Sequence, residues 1–358
     1  MALRDKVRFI TPYTPGEQPR ESGIIKLNTN ECPYPPSPEF ARTMAQIPPE
    51  SFRLYPDPNE NELRDALSEV YGIPKERIYA GVGSDEVLAL AFLTFFTGGG
   101  PLLFPDITYS FYPVWADLYQ IPVRTVPLDE DFRIHAEDYC TQEDKAGIII
   151  ANPNAPTGLY AGLDLIERIL QANPGIVVIV DEAYIDFGGE SALPLIDKYD
   201  NLVVVRTCSK SRSLAGLRIG YAFGPQMLMD ALWAVRNSFN SYTLNHASIV
   251  GGAAAVRDTA YLKQTCERII ATRERLAGEL RAMGFTFPPS SANFIFAKHE
   301  TVPGSEIFAA LRERKIFVRR WDLPRIGDYL RITVGSDAET DALVAALREI
   351  IKEKGAEV

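Results

Sequence analysis

Lys210 stands in the stretch RTCSKSRSLAGLRIGYAFG, residues 206–224, with Ser209, Ser211 and Ser213 around it and Arg218 eight positions later. Apolar runs predict a strand on each side, over 203–207 and 219–223. A lysine set between buried strands beside a cation loses proton affinity, and a neutral amine can attack a carbonyl. Hydroxyls and a guanidinium form a group set that holds a phosphate. A Schiff-base lysine beside a phosphate cup is the chemistry of pyridoxal 5′-phosphate, PLP. Taken alone, the stretch also allows a solvated loop with a surface lysine.

Four segments are expected to position such a site, each ending a predicted strand. The first is Gly81-Val82-Gly83 followed by Ser84, Asp85 and Glu86, a glycine turn opening an apolar helix whose N-terminus favours an anion. Ser84 and Asp85 as simple helix caps are the alternative there. The second is Asn152-Pro-Asn154-Ala-Pro-Thr-Gly158, which also reads as a plain proline turn. The third is Asp181-Glu-Ala-Tyr184, and the fourth is Ser209-Lys210. Asp181 follows an apolar run, so it needs a cation or several donors, and a protonated pyridine nitrogen would serve. A capping or backbone-bonding aspartate is the alternative. Tyr184 and Asn154 are candidates for the ring oxygen O3′. Tyr109 is a candidate to stack on the ring, unless it only packs in the core.

The rest of the chain is read as the frame for these segments. Residues 1–40 are proline-rich and aperiodic, an extended arm carrying Tyr13, Asn30 and Tyr34. Before the first glycine turn, Asn59 is expected to cap a helix with Glu62 in a capping box and Gly72 as its stop. Tyr55 then lies in a proline-fixed turn. Continuous Val/Ile runs at 147–151, 175–184 and 201–207 predict parallel strands buried on both faces. After residue 245 a long helical stretch, two alternating strands and a final helix predict an α+β lobe. The expected organisation is an arm over 1–35, a large cofactor-binding domain over 36–245 and a smaller C-terminal domain over 246–358.

The chain has 358 residues, net charge −10 and pI ≈ 5.0. An acidic chain disfavours nucleic acid as a partner but leaves room for a local basic pocket. Four scattered cysteines and three histidines offer no metal-ligand spacing. The N-terminus lacks an apolar signal core, and the longest apolar run, 87–96, is too short to span a membrane. A cytoplasmic protein is expected, with neither metal nor membrane partner.

Taken together, LNTNECPYPPSP, LYPD, GVGSDE, NPNAPTG, VVIVDEAYIDF, TCSKSRSLAGLRIG and YLRITVG resemble the fold-type I PLP-dependent aminotransferases, most closely the histidinol-phosphate aminotransferase family. The resemblance implies an α/β fold: a large domain with a mostly parallel central sheet flanked by helices, plus a smaller α+β domain. It implies ping-pong transamination between L-histidinol phosphate and 2-oxoglutarate or glutamate, in histidine biosynthesis. By position, Lys210 resembles the Schiff-base lysine that shuttles the proton, Asp181 the pyridine-nitrogen partner and Tyr184 the O3′ donor. Ser209 and Arg218, with the amides of Ser84 and Asp85, resemble the phosphate cup, and Tyr109 the stacking aromatic. Tyr55 resembles a tyrosine that reaches the neighbouring subunit's cofactor, which implies a homodimer with shared sites. Arg331 and Arg319 resemble the substrate arginines, and Asn30 and Tyr13 residues that close over the substrate. Ala155 stands where asparagine is common, which leaves the O3′ amide contact to Asn154 or missing. An aromatic amino-acid aminotransferase and a threonine-phosphate decarboxylase use similar scaffolds. A PLP-sensing transcription regulator would need a DNA-binding segment, for which no room is expected before Tyr13.

Overall fold

The computed structural model describes residues 3–19, 21–141 and 143–355. The arm leads through a short strand, β1 (Ile25–Lys26), to helices α1 (Pro38–Ala45) and α2 (Asn61–Tyr71). Asn59 does not cap α2. Glu60, left-handed at φ 52°, holds the N-cap position, and Asp57 accepts from the amides of Asn59 and Asn61 at 2.9 and 2.8 Å. The expected stop is present, with Gly72 left-handed at φ 67°.

A seven-stranded sheet follows, built from β2 (Ile78–Val82), β3 (Leu102–Pro105), β4 (Val123–Val126), β5 (Gly147–Ala151), β6 (Val177–Asp181), β7 (Leu202–Thr207) and β8 (Ile219–Phe223). Its order is β2-β8-β7-β6-β5-β3-β4. Only β8 runs against its neighbours. The helices α3 (Gly83–Phe95), α4 (Tyr112–Tyr119), α5 (Leu163–Ala172), α6 (Gln226–Phe239) and α7 (His246–Arg257) flank it. Successive strand residues enter opposite cores. Val178 and Val180 pack with α2, α5 and α7, whereas Ile179, Val203 and Val205 pack with α3, α4 and α6. Each such side chain contributes about 1.5–3 kcal/mol by leaving water, which is why these strands read as unbroken apolar runs.

The helical stretch after residue 245 is broken in two at Asp258, whose carboxylate accepts from the Tyr261 amide at 3.1 Å and caps α8 (Thr259–Ala282). Ile249, Ala253 and Val256 of α7 share the core of α2 and the sheet. The change of texture at 245 in the sequence thus precedes the change of packing, which comes at Asp258. Beyond it lie β9 (Phe285–Thr286), β10 (Phe294–His299), α9 (Gly304–Glu313), β11 (Ile316–Phe317), β12 (Arg319–Arg320), β13 (Leu330–Thr333) and α10 (Asp337–Glu353). The four-stranded sheet β12-β13-β10-β9 is antiparallel. The arm joins this lobe: β1 pairs in parallel with β11, and the Thr333 amide donates to the Leu27 carbonyl at 3.0 Å. No helix among the described residues is long and apolar enough to cross a membrane.

Candidate active site

The carboxyl ends of β5, β6 and β7 lie side by side, and the turn between β2 and α3 closes the group from the far side of β8. Asp181 ends β6. Its Oδ2 accepts from the Tyr112 hydroxyl at 2.9 Å and its Oδ1 from the Ala183 amide at 3.2 Å. Both donors are neutral, and burial pushes its carboxyl up to about 6. A buried carboxylate with no cation beside it suits a cationic ligand atom.

Lys210 follows β7 and opens onto the same cavity of about 100 Å³ as Asp181, Tyr184 and Arg218. Its Nζ donates to the Thr29 carbonyl at 3.1 Å and lies 5.8 Å from the Tyr184 ring centroid. Of the three hydroxyls flanking it, Ser209 lines the cavity, whereas Ser211 donates to Asp186. Arg218 is left-handed at φ 54°. It donates to Asp85 Oδ2 at 2.8 Å, to the Ala215 carbonyl at 3.3 Å and to Ser209 Oγ at 3.5 Å. Glycine is needed at two positions beside it. A Cβ on Gly83 would lie 2.6 Å from the Arg218 guanidinium, and one on Gly220 would lie 2.2 Å from the Gly83 carbonyl carbon. Ser84 and Asp85 do not cap α3, whose N-cap residue is Val82. Glu86 instead accepts from the Val82 amide at 2.6 Å, leaving the first turn open towards the cavity. Tyr109 donates to Asp85 Oδ1 at 2.9 Å. Burial, with Asp85 second, keeps its phenol protonated well beyond the ordinary range.

Asn154 is not brought to the cavity. Its Nδ2 donates to the Ile107 carbonyl and to Thr157 Oγ1, each at 3.0 Å, and its Oδ1 accepts from Thr108 at 2.8 Å. Both amide hydrogens and the oxygen are thereby bonded within the protein, to its own loop and to the segment after β3. Pro153 and Ala155 face the cavity in its place. Asn154, a candidate for O3′ in the sequence, is thus bonded away from this cavity. Tyr184 does line the cavity, and its hydroxyl accepts from Asn30 Nδ2 at 2.9 Å.

A larger mouth of about 720 Å³ continues from this cavity between the arm and the C-terminal lobe. Tyr13 stacks on Phe111 at 4.2 Å, and Phe111 on Trp115 at 4.6 Å, giving an aromatic wall. Arg319 and Arg331 are direct partners across β12 and β13 and both line the mouth. Arg320 does not. Strand alternation turns it away, to the Gly327 carbonyl at 2.7 Å. Arg331 donates to the Asn28 carbonyl at 3.0 Å, its shielded Nε has no partner, and it forms no ion pair with a carboxylate among the described residues. Burial lowers its proton affinity. Trp321 lies 5.4 Å from the Arg319 guanidinium and 5.1 Å from that of Arg331. Tyr55 is outside both cavities, 81% exposed and stacked on Tyr242 at 4.6 Å.

Sequence reasoning missed Tyr112, Thr207, Thr29, Phe111 and Trp321. Tyr112 and Phe111 read as core positions of an amphipathic helix, and Thr207 as an ordinary strand former. Thr29 contributes only a carbonyl, which no residue type announces. Trp321 carries no local signal that would set it beside two arginines. Among the described residues, no group of three or more His, Cys, Asp or Glu side chains is placed to hold a metal ion.

The donor set fits PLP: an unpaired buried carboxylate, an amine, a phenol and a guanidinium beside an open helix N-terminus surround one cavity. Comparison with known proteins agrees. A model of the aminotransferase class I and II family matches residues 22–347. The histidinol-phosphate aminotransferase 1 of Bordetella parapertussis is 51% identical over 96% of this chain and 97% of its own. The histidinol-phosphate aminotransferase of Marinomonas sp. is 52% identical over 97% and 98%. The structure of histidinol-phosphate aminotransferase from Sinorhizobium meliloti in complex with pyridoxal-5′-phosphate has 26% identity and a TM-score of 0.85, covering 92% of this chain and 91% of that one. The chain belongs to the class I and II aminotransferases, PLP-dependent enzymes built on the fold-type I scaffold.

Proposed function

We propose that this aminotransferase converts L-histidinol phosphate and 2-oxoglutarate to the corresponding oxo compound and glutamate, as a step of histidine biosynthesis. The observation that carries the reading is Arg331: a partly buried guanidinium without a carboxylate partner among the described residues, paired across the sheet with Arg319 on the mouth that leads to Lys210. A planar two-donor fork suits either a phosphate or a carboxylate, so one site can take both amino donors in turn. The names of the relatives at 51% and 52% identity support the same substrate.

When bound, PLP supplies an electron sink that lets the substrate Cα–H be removed as a proton. The chain's own groups do the rest. Asp181 holds the ring nitrogen protonated, its need for a cation following from burial. Arg218, Ser209 and the first amides of α3, those of Ser84 and Asp85, hold the phosphate. Tyr109 and Tyr184 line the cavity, where Tyr109 would stack on the ring and Tyr184 would donate to O3′. Lys210, as a free amine on the same cavity, would take up the Cα proton and return it as general base and acid. Tyr13 and the aromatic wall exclude water from the mouth.

The enzyme acts as a homodimer in the cytoplasm. Phe52, Leu54, Tyr55, Phe239 and Tyr242 are exposed apolar side chains, and the stacked Tyr55 and Tyr242 link the turn before α2 to the residues after α6. Tyr55 reaches the partner's cofactor from that patch. Mixing Lys210→Ala subunits with Tyr55→Ala subunits tests the sharing. Recovery of activity above that of either variant supports it, and no recovery in verified mixed dimers removes it.

Visible absorption of the PLP-loaded protein tests the substrate. Loss of the cofactor–lysine band is expected at low L-histidinol phosphate, at moderate L-glutamate and only at high L-phenylalanine. The stacked Tyr13, Phe111 and Trp115 wall favours a second reading, an aromatic amino-acid aminotransferase. A phenylalanine response equal to or stronger than that to histidinol phosphate would establish that reading instead.

A further inference from the structure

Residues Asn28, Thr29 and Asn30 each hold one group of the site. The Asn28 carbonyl accepts from Arg331 Nη2 at 3.0 Å, and the Thr29 carbonyl accepts from Lys210 Nζ at 3.1 Å. Asn30 is 1% exposed and left-handed at φ 57°, a conformation that asparagine tolerates better than most residues. Both the oxygen and the nitrogen of its side chain are bonded within the protein. Oδ1 accepts from Thr333 Oγ1 at 3.1 Å, and Nδ2 donates to the Tyr184 hydroxyl at 2.9 Å. Its backbone is also fixed, the amide donating to Thr333 Oγ1 at 3.0 Å and the carbonyl accepting from Asn293 at 3.0 Å.

A phenol has one proton to donate and oxygen lone pairs to accept with. Because Asn30 donates to the Tyr184 oxygen, a lone pair is occupied and the phenol proton is turned elsewhere. Tyr184 lines the cavity of Lys210 and Asp181, and the facing loop presents Pro153 and Ala155 there rather than an amide, since Asn154 is spent internally. We infer that Asn30 is a positioning residue for the cofactor: it aims the Tyr184 proton at the PLP phenolic oxygen, in place of an asparagine amide from the 152–158 loop. The inference rests on the PLP site proposed above. It predicts that Asn30 sets the electronic state of the cofactor rather than substrate affinity. A donor on that oxygen stabilises its negative charge. A weaker donor leaves more charge to hold the proton on the lysine-derived nitrogen, which raises the pH at which that nitrogen titrates.

The test is a pH titration of visible absorption for PLP-loaded protein. Asn30→Ala is expected to raise the spectral midpoint by about 1 unit, the size of one lost hydrogen bond to a charged group. Asn30→Asp is expected to raise it at least as far, because a carboxylate there takes the phenol proton for itself. In a Tyr184→Phe background, whose own midpoint is raised, neither change should shift it further. An unmoved midpoint in Asn30→Ala, or an equal shift with and without the Tyr184 hydroxyl, would overturn the inference. If both Asn30 variants fail to fold, Thr333→Val, which frees Asn30 Oδ1, should give a smaller shift of the same sign, and none would overturn it. Absence of a visible band in the unaltered protein loaded with PLP would instead refute the cofactor site itself.

Discussion

The cradle around Asp181 and the mouth around Arg331 are built by different means. In the cradle, side chains of one lobe hold one another: Tyr112 bonds Asp181, Tyr109 and Arg218 both bond Asp85, and Thr207 bonds Ser209. These groups sit at the ends of hydrogen-bonded strands, so the sheet spacing fixes their separation before any ligand arrives. In the mouth the cations come from β12 and β13, and they face aromatic rings and backbone carbonyls: Arg331 bonds Asn28, Arg319 reaches Thr14 and Pro15 at 3.4 Å, and Trp321 lies by both. The cradle is preformed for one cofactor. The mouth keeps unneutralised positive charge for anions that come and go. Chemistry and specificity are therefore separable by substitution.

The largest effect is expected at the amine common to both regions. Lys210→Ala should lower turnover on the order of 10⁴-fold or more, while unfolding by urea stays near that of the unaltered protein. A loss below tenfold would mean that another group moves the proton.

Asp181→Asn sharpens the contrast, because activity and stability should move in opposite directions. Turnover should fall at least about 10²-fold as the ring nitrogen loses its anionic partner. In the cofactor-free chain the sign reverses. The carboxyl of Asp181 is raised to about 6, so it binds its proton more tightly folded than unfolded. Its contribution to stability is present below the ordinary carboxylate range and is lost as pH rises to about 6. At pH 8 the variant should be more stable by about 2–3 kcal/mol, and the gain should vanish near pH 4. Urea unfolding at the two pH values measures it; a gain independent of pH would break the link to the carboxyl.

Arg331→Met should lower kcat/KM about 10²-fold for histidinol phosphate and for glutamate alike, with the PLP spectrum unchanged. Because no carboxylate is left behind unpaired, stability should change by only about 1 kcal/mol. A shifted cofactor spectrum would show that cradle and mouth are not separable.

The smallest effect is expected outside both cavities. Tyr55→Phe, which removes one hydroxyl from an exposed ring, should weaken PLP binding roughly tenfold without changing substrate preference. An unchanged PLP affinity at protein concentrations where the dimer is verified would take Tyr55 out of the shared site.

The cradle was the more legible half in the sequence. Glycine turns, a carboxylate after an apolar run and a lysine after the next one are local signals, and a parallel sheet collects its strand ends at one edge regardless of the loops between them. Two readings turn on local competition. Asn59 matched the capping pattern, but Asp57 reaches both nearby amides and leaves the N-cap position to left-handed Glu60. Asn154 is a candidate O3′ donor by its place after β5, and Thr108, Thr157 and the Ile107 carbonyl bond its amide away from the cavity. Neither competition shows in residue types.

The sequence by itself determined the sheet, its buried strands and the set of groups gathered at its edge, because burial periodicity and strand-end chemistry are properties of neighbouring residues. Only the tertiary structure decided the mouth. Its arginines gain meaning from alternation on β12, which turns Arg319 in and Arg320 out, and from an arm some 300 positions away in the chain whose carbonyls accept from them. Backbone acceptors carry no residue code, and which of them a side chain finds depends on how the lobes pack.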